Sequence, residues 1–253
     1  MINQIRADLY RQGHSIGMAI ITLLTIVYAV FNTQQKVVGG VTVNPDSKLL
    51  NQLIAKRWTV LDGIHAANVA GSLLLWLFIV VLVIVFSREF SQRTYKNTLV
   101  SGISRLQFIL GKYLILLADI LVLFALFFGT AAVTGMILGR AMGGSLVHDL
   151  VYSILLNAFF VSVVFSISIT LMLSFNTIVV QTIFVGIWPL LISIVYSLLH
   201  WHWLRYLDFY NMTVSLTTGA LSATLQARYL LVSLGLLIVS IAASSCLLQR
   251  KEL

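Results

Sequence analysis

The stretch LLLWLFIVVLVIVF, from Leu73 to Phe86, consists only of leucine, isoleucine, valine, phenylalanine and tryptophan. In lipid such a run is a helix, because the bilayer core offers no water to the backbone groups of an open strand. Each central Leu, Ile, Val or Phe favours membrane insertion by about 0.3–0.6 kcal/mol. This stretch therefore predicts a membrane-spanning helix and decides the fold class.

The composition of the whole chain supports the same conclusion. Of its 253 residues, 59% are hydrophobic and 9% are charged, whereas an average soluble domain has roughly 25% charged residues. The net charge is +8, but the basic residues stand between apolar runs and form no patch. We therefore expect them to set topology and contact lipid, and we expect no nucleic acid as a partner. The single cysteine, Cys246, excludes an intramolecular disulfide.

Six apolar runs are long enough to cross a hydrocarbon core, which takes about 20 helical residues. The prediction is an all-α membrane protein with one transmembrane domain over residues 1–253 and spans at residues 16–31, 69–86, 113–138, 150–173, 178–199 and 229–248. The first run lacks a small-x-small cleavage site, so it is predicted to be an uncleaved span. Pro189 should kink the fifth span.

The distribution of basic residues gives the predicted orientation. The densest group, Arg88 to Lys112, lies on the inner side if both termini are cytoplasmic, as the positive-inside rule prefers. Lys36, Lys48, Lys56 and Arg57 in the first outer loop, residues 32–66, argue the other way. Within that loop, apolar residues recur at helical spacing between 49 and 58, which indicates an amphipathic segment.

The polar stretch between the second and third spans is the most informative loop. Glu89 and Arg93 stand four residues apart and can pair across one helical turn. Ser101-Gly102 is a natural break, and Ser104 can cap the next helix. These features predict a short polar helix at the inner membrane face, which a cytoplasmic protein could grip. The alternative is an ordinary basic loop that only sets topology.

This stretch resembles a known signature. The pattern Glu89…Arg93-Thr94-Tyr95-Lys96-Asn97-Thr98-Leu99-Val100-Ser101-Gly102-Ile103-Ser104-Arg105…Gly111-Lys112 is similar to the segment between spans two and three of ABC type-2 exporter permeases, of the kind serving antimicrobial- or toxin-peptide export and bacteriocin (lantibiotic) immunity. Arg93 stands where that family often has Gly, and Gly102-Ile103 replaces Pro-Val. The resemblance implies a coupling helix that docks into a separate ATPase through Glu89, Arg93, Thr94, Lys96, Leu99, Ser101, Gly102, Ile103, Ser104 and Arg105.

The resemblance also implies the parts around that helix. Residues 1–14, whose apolar side chains lie along one face, would form an amphipathic connecting helix that braces the ATPase through Arg6, Leu9 and Arg11. Re-entrant outer helices between spans five and six would close an exit gate of Trp201, Trp203, Tyr206 and Phe209. An interfacial aromatic belt explains the same four residues without a gate.

The implied assembly is an exporter in a bacterial plasma membrane. Two permease chains, identical or different, would work with two cytoplasmic ATPase subunits that bind ATP and Mg. The expected substrate is an amphipathic or hydrophobic peptide, with other lipophilic compounds as the alternative, because the spans offer few polar groups.

The chain itself shows no catalytic or metal-binding pattern. Gly111-Lys112 lacks the earlier glycine of a phosphate loop, and His200 and His202 point apart on a helix, so we expect neither an enzyme nor a cofactor. Asp119 is the one acid well inside a predicted span, at a cost of roughly 2.5–3.5 kcal/mol if central. It predicts a proton or cation site, as in an ion-coupled carrier or channel; alternatively it is protonated or bonds a neighbouring helix.

Overall fold

The computed structural model describes residues 2–36, 58–91, 95–100, 102–199, 201–217 and 221–250, and within these ranges the regular structure is helical. The helices are α1 (Ile2–Gly13), α2 (Ile16–Gln35), α3 (Val60–Leu82), α4 (Arg88–Ser91), α5 (Tyr95–Val100), α6 (Arg105–Ile137), α7 (Leu146–Phe175), α8 (Ile178–Leu199), α9 (Phe209–Thr217) and α10 (Ala223–Arg250). A π-helical turn, Val83–Ser87, joins α3 to α4, and a 3-10 helix, His202–Leu207, precedes α9.

Five helices are long and apolar enough to cross a membrane: α2, α3 with its π turn, α6, α7 and α10. The halves of α8, Ile178–Trp188 and Leu190–Tyr196, meet at 50° and give a sixth candidate span if together they form one broken span and not a re-entrant loop. The bend falls at Pro189, where the sequence predicts it, because proline has no backbone N–H to donate and its ring crowds the preceding turn. The helices are therefore those of a multi-pass membrane protein, with five candidate spans or six if the bent pair forms one span.

The helices extend beyond the apolar runs from which the spans were predicted. The helix of the second span begins at Val60, before the predicted run at residue 69, and α2 runs on to Gln35, so fewer residues than 32–66 lie between these two helices. Polar side chains at 62, 65 and 68 lower the mean hydropathy of this first part of α3, so it was not counted in the predicted span. The third, fourth and sixth spans also begin earlier, at 105, 146 and 223. The predicted amphipathic segment at 49–58 lies almost wholly outside the described residues.

The end of the polar connection that leads into α6 has the structure that the sequence predicts. Gly102 has φ +91°, which favours glycine, so the predicted break is a turn. Ser104 is the N-cap of α6: its hydroxyl accepts a hydrogen bond from the Gln107 backbone N–H, and the Gln107 side chain accepts one from the Ser104 N–H. The helix of the third span therefore begins about two turns before its apolar run.

The core of the bundle is built around α6, which packs against α2, α3 and α7. Phe78 of α3 meets Phe124 of α6 edge to face, with ring centroids 5.1 Å apart, and both side chains are fully buried. Between α3 and α7 lies a group of neutral polar side chains, here called the amide cluster: Asn68, Ser153 and Asn157. Asn68 donates to Ser153 Oγ at 3.0 Å, and Asn157 donates to Asn68 Oδ1 at 2.8 Å.

Candidate functional site: a buried charge cluster

Four charged side chains from three separate segments meet at one end of the bundle. Lys112 of α6 donates to Asp8 of α1 at 2.6 Å and to Glu89 of α4 at 2.7 Å. Arg11 of α1 donates to the same two carboxylates, at 3.0 Å each. Two acids and two bases balance to zero net charge. We call this group, Asp8, Arg11, Glu89 and Lys112, the charge cluster.

Burial makes Lys112 the centre of the charge cluster. Its side chain is 1% exposed, whereas that of Arg11 is 40% exposed. A buried ammonium group is tolerated only when its charge is matched and its protons are bonded, since desolvation costs several kcal/mol. The two short contacts to carboxylates supply both conditions, as charge-assisted hydrogen bonds. The Lys112 ammonium group can therefore stay buried only while Asp8 and Glu89 remain bonded to it.

An aromatic group covers the charge cluster. Phe90 stacks on Tyr95 with ring centroids 4.7 Å apart and lies 6.2 Å from Phe108 and 6.3 Å from Phe86. The Lys112 ammonium lies 5.9 Å from the centre of the Phe108 ring, within reach of a cation–π contact. The stacked rings hold the residues that follow Glu89 against the start of α6.

The π turn Val83–Ser87 sets the direction of Glu89. A π turn holds an extra residue, so everything after it is rotated relative to a continuous α-helix, and such turns are frequent at functional sites. The turn also packs closely on α2: a Cβ on Gly17 would lie 2.9 Å from Ile84 Cδ1. Glu89 thus reaches Lys112 from a segment that continues α3 and packs against α2.

Beyond this covered base, the connection ends in an exposed tip. Val100, the last residue of α5, has 74% of its surface exposed, and Gly102 and Ser104 are exposed as well. An apolar side chain this open, on a short helix whose other end is anchored, is suited to contact another protein. The connection thus has a packed part at Phe90 and Tyr95 and an exposed tip at Val100, Gly102 and Ser104.

A comparison with known proteins places the chain in a family. It belongs to the family described as "Protein of unknown function (DUF2705)". The sequence profile of that family matches residues 18–253, which include Glu89, Lys112 and the exposed tip. No curated protein and no solved structure matches the chain.

The predicted coupling residues are only partly brought together. Glu89 is in the charge cluster, but its described partners are Lys112 and Arg11; its predicted partner Arg93, together with Thr94 and Ser101, lies outside the described residues. The rest of the set lies along the connection: Lys96, Ile103 and Arg105 are partly buried, Gly102 and Ser104 are exposed, and the Leu99 side chain is not among those described.

Helix α1, the predicted connecting helix, contributes two side chains to the charge cluster. Of its predicted residues, Arg11 joins the charge cluster, while Arg6 and Leu9 are exposed. Asp8, which the sequence places on the polar side, is buried against α6. Asp8 and Arg11 therefore face the bundle, where their hydrogen-bonding partners lie, while Arg6 is exposed.

The four aromatic residues of the predicted gate do not form one group. Trp201 and Trp203 are exposed and stack on each other, with ring centroids 5.8 Å apart. Tyr206 instead contacts Tyr229 of α10, with centroids 4.9 Å apart, while Phe209 is buried 5.9 Å from Phe160 of α7. The structure thus separates a surface pair from two residues that pack the short helices between α8 and α10 against the bundle.

Sequence reasoning missed the partners of the charge cluster. Lys112 was one of the positions that resemble the family signature, but the sequence did not show its partners, because Asp8 is 104 residues away.

The start of α3 did have a signal in the sequence. Thr59 and Asp62 form a capping box there, and a Thr followed three residues later by Asp predicts such a helix start.

Proposed function

We propose that this chain is the membrane-spanning subunit of an ATP-driven exporter, a permease of the ABC type-2 kind. One observation carries the proposal: the charge cluster ties the exposed tip after α5 to two different spans. Lys112 belongs to α6, and Arg11 lies in α1, which leads directly into α2. A force that acts on the tip would therefore displace both α6 and α2.

The path of that push follows from the contacts. Phe90 and Tyr95 fix the tip to the start of α6 by stacking, and Glu89 fixes it to Lys112 by charge. Packed side chains and ion pairs move together, since close-packed interiors resist compression. Because α6 packs on three other spans, its displacement rearranges the bundle. Closure of two ATPase subunits on ATP and Mg would supply the push.

The proposed substrate is an amphipathic or hydrophobic peptide, such as a toxin, bacteriocin or antimicrobial peptide. The amide cluster supports this, because its polar groups hydrogen-bond to one another and are not presented to a sugar or an ion. Other lipophilic compounds are the alternative substrate for the same architecture. The proposed setting is a bacterial plasma membrane, with cytoplasmic termini and a second permease chain as partner.

The test uses the exposed tip. The full chain is co-purified with the phosphate-loop protein encoded beside it, and ATP hydrolysis is measured in nanodiscs with and without amphipathic peptides. Val100→Asp should abolish peptide-stimulated hydrolysis, because a charge replaces the apolar contact, without changing the thermal midpoint of the chain. Val147→Asp is the matched control, since Val147 is equally exposed, at 75%, at the opposite end of the bundle.

Two results would overturn the proposal. One is failure of the chain to associate with any phosphate-loop protein. The other is equal stimulation of hydrolysis in Val100→Asp and Val147→Asp.

A second candidate function is an ion-coupled carrier or channel. It is favoured by Asp119, which is buried in α6, 9% exposed, and carries an oxygen without a hydrogen-bond partner. A carrier of this kind would move its substrate in liposomes that contain no ATPase, and Asp119→Asn would stop that transport. Retained transport in Asp119→Asn would exclude it.

A further inference from the structure

A groove opens between α1, α2 and the middle of α6. Its volume is about 570 Å³, and its walls are mainly apolar, among them Leu9, Met18, Leu23 and Ile26. Leu9 and Leu23 are themselves exposed at the outside of the bundle, so the groove opens sideways, where a spanning helix faces lipid. Asp119 lies seven residues after Lys112, about 10 Å further along the helix axis.

Two hydrogen-bond acceptors in this groove have no partner. The Gln12 side-chain amide and the Asp119 carboxyl group lie within hydrogen-bonding reach of each other. The second carboxylate oxygen of Asp119 and the amide oxygen of Gln12 are then left buried and unbonded. Both side chains are more than nine-tenths buried, at 9% and 4% exposure. A buried acceptor without a donor is costly, so the site is built for a donor from outside.

The chemistry of the groove selects the donor. An ionised Asp119 would be matched by a cation, and two acceptors need a cation with several N–H donors. The apolar walls provide for a hydrocarbon chain but give a bare metal ion too few oxygens, since Ca²⁺ and Mg²⁺ take about six or more. Among the described residues that line the groove there is no lysine or arginine, so the phosphate of a zwitterionic lipid would find no counter-charge there.

We propose that this groove binds the primary ammonium group of a long-chain, singly charged amine that enters from the bilayer. The ammonium donates one hydrogen bond to Asp119 and one to Gln12, and the alkyl chain lies along Met18, Leu23 and Ile26. A quaternary ammonium of the same length has the charge but no N–H to donate. This site does not depend on an ATPase, so it stands or falls separately from the exporter proposal.

The experiment measures equilibrium binding of tritiated dodecylamine to the full chain in nanodiscs of phosphatidylcholine and phosphatidylglycerol, with empty discs subtracted for partitioning. We expect saturable binding that unlabelled dodecylamine displaces at least tenfold more effectively than dodecyltrimethylammonium, while dodecanol does not displace it. Asp119→Asn should weaken binding at least tenfold. Asp149→Asn, which neutralises an acid outside the groove, is the matched control and should bind as the native chain does.

Three results would overturn the proposal. The first is equal displacement by the quaternary amine, because charge alone would then suffice. The second is unchanged binding in Asp119→Asn with normal size-exclusion behaviour. The third is loss of binding when phosphatidylethanolamine is added to the discs, which would assign the groove to a bilayer lipid. If Asp119→Asn does not fold, the comparison of primary and quaternary amines in the native chain still decides the question.

Discussion

The charge cluster and the amide cluster are both buried groups of polar side chains, but they join different kinds of structure. The amide cluster links two spans, α3 and α7, by neutral hydrogen bonds. The charge cluster links a span to α1 and α4, two short helices at the edge of the bundle. Spans are already held by packing, whereas the short helices bury little surface of their own.

The difference shows where strong interactions are placed. A hydrogen bond between membrane helices contributes only about 0.6 kcal/mol on average, because its groups find other partners in the inserted state. A buried ion pair cannot be broken so cheaply, since each separated charge loses its compensation. Charges are thus used where peripheral helices must stay attached, and neutral groups where spans need only alignment.

The largest effect is expected from removing the central cation. Lys112→Met leaves Asp8 and Glu89 buried beside each other with only the half-exposed Arg11. Removing one partner of a buried pair costs about 3–5 kcal/mol. We expect a drop of that size in the free energy of unfolding, measured by SDS titration in mixed micelles. Lys36→Met, at an exposed position, is the control and should change it little.

A second substitution separates charge from packing in this result. Adding Asp8→Asn to Lys112→Met removes one of the two uncompensated carboxylates and should recover part of the lost stability. If the double variant is less stable than the native chain by the sum of the losses of Lys112→Met and Asp8→Asn measured singly, the charge cluster does not act as a unit.

A smaller effect is expected in the amide cluster. Asn157→Ala removes one hydrogen bond to Asn68 and one to the Ser153 carbonyl. We expect a loss of about 0.6–1.7 kcal/mol in the same unfolding assay. A loss as large as that of Lys112→Met would remove the distinction drawn between the two clusters.

The smallest effect is expected at the exposed cation of the charge cluster. The Arg11 side chain is 40% exposed, and a salt bridge at that exposure contributes about 0.2–1 kcal/mol. Arg11→Gln should therefore lower the free energy of unfolding by no more than this, and the difference should shrink at high salt. A loss beyond 2 kcal/mol or an effect independent of salt would show that Arg11 is as important as Lys112.

The spans could be predicted from the sequence because insertion depends on local hydropathy. The pattern from Leu73 to Phe86 is sufficient by itself, and Ser104 and Gly102 mark the start of α6 by local backbone chemistry. The start of α3 at Val60 was misplaced because hydropathy does not count a capping box. Its Asp62 is polar but is used by the Thr59 N-cap.

The candidate site could be predicted only in part, for a physical reason. Glu89 was named from its position, but its partners depend on how α1 folds back onto α6. A pairing between residues 8 and 112 leaves no periodic trace in a single sequence. The groove at Asp119 was equally hidden, since its second polar wall, Gln12, comes from the same returning helix.

The pairing of Asp8 with Lys112 also has a consequence for the order of synthesis. A ribosome adds about 5–20 residues per second, so the partner of Asp8 is made roughly 5–20 seconds after Asp8 itself. During that interval the first span can already be in the bilayer while α1 waits unattached. Helix α1 therefore completes its ion pair with α6 only after Lys112 has been made.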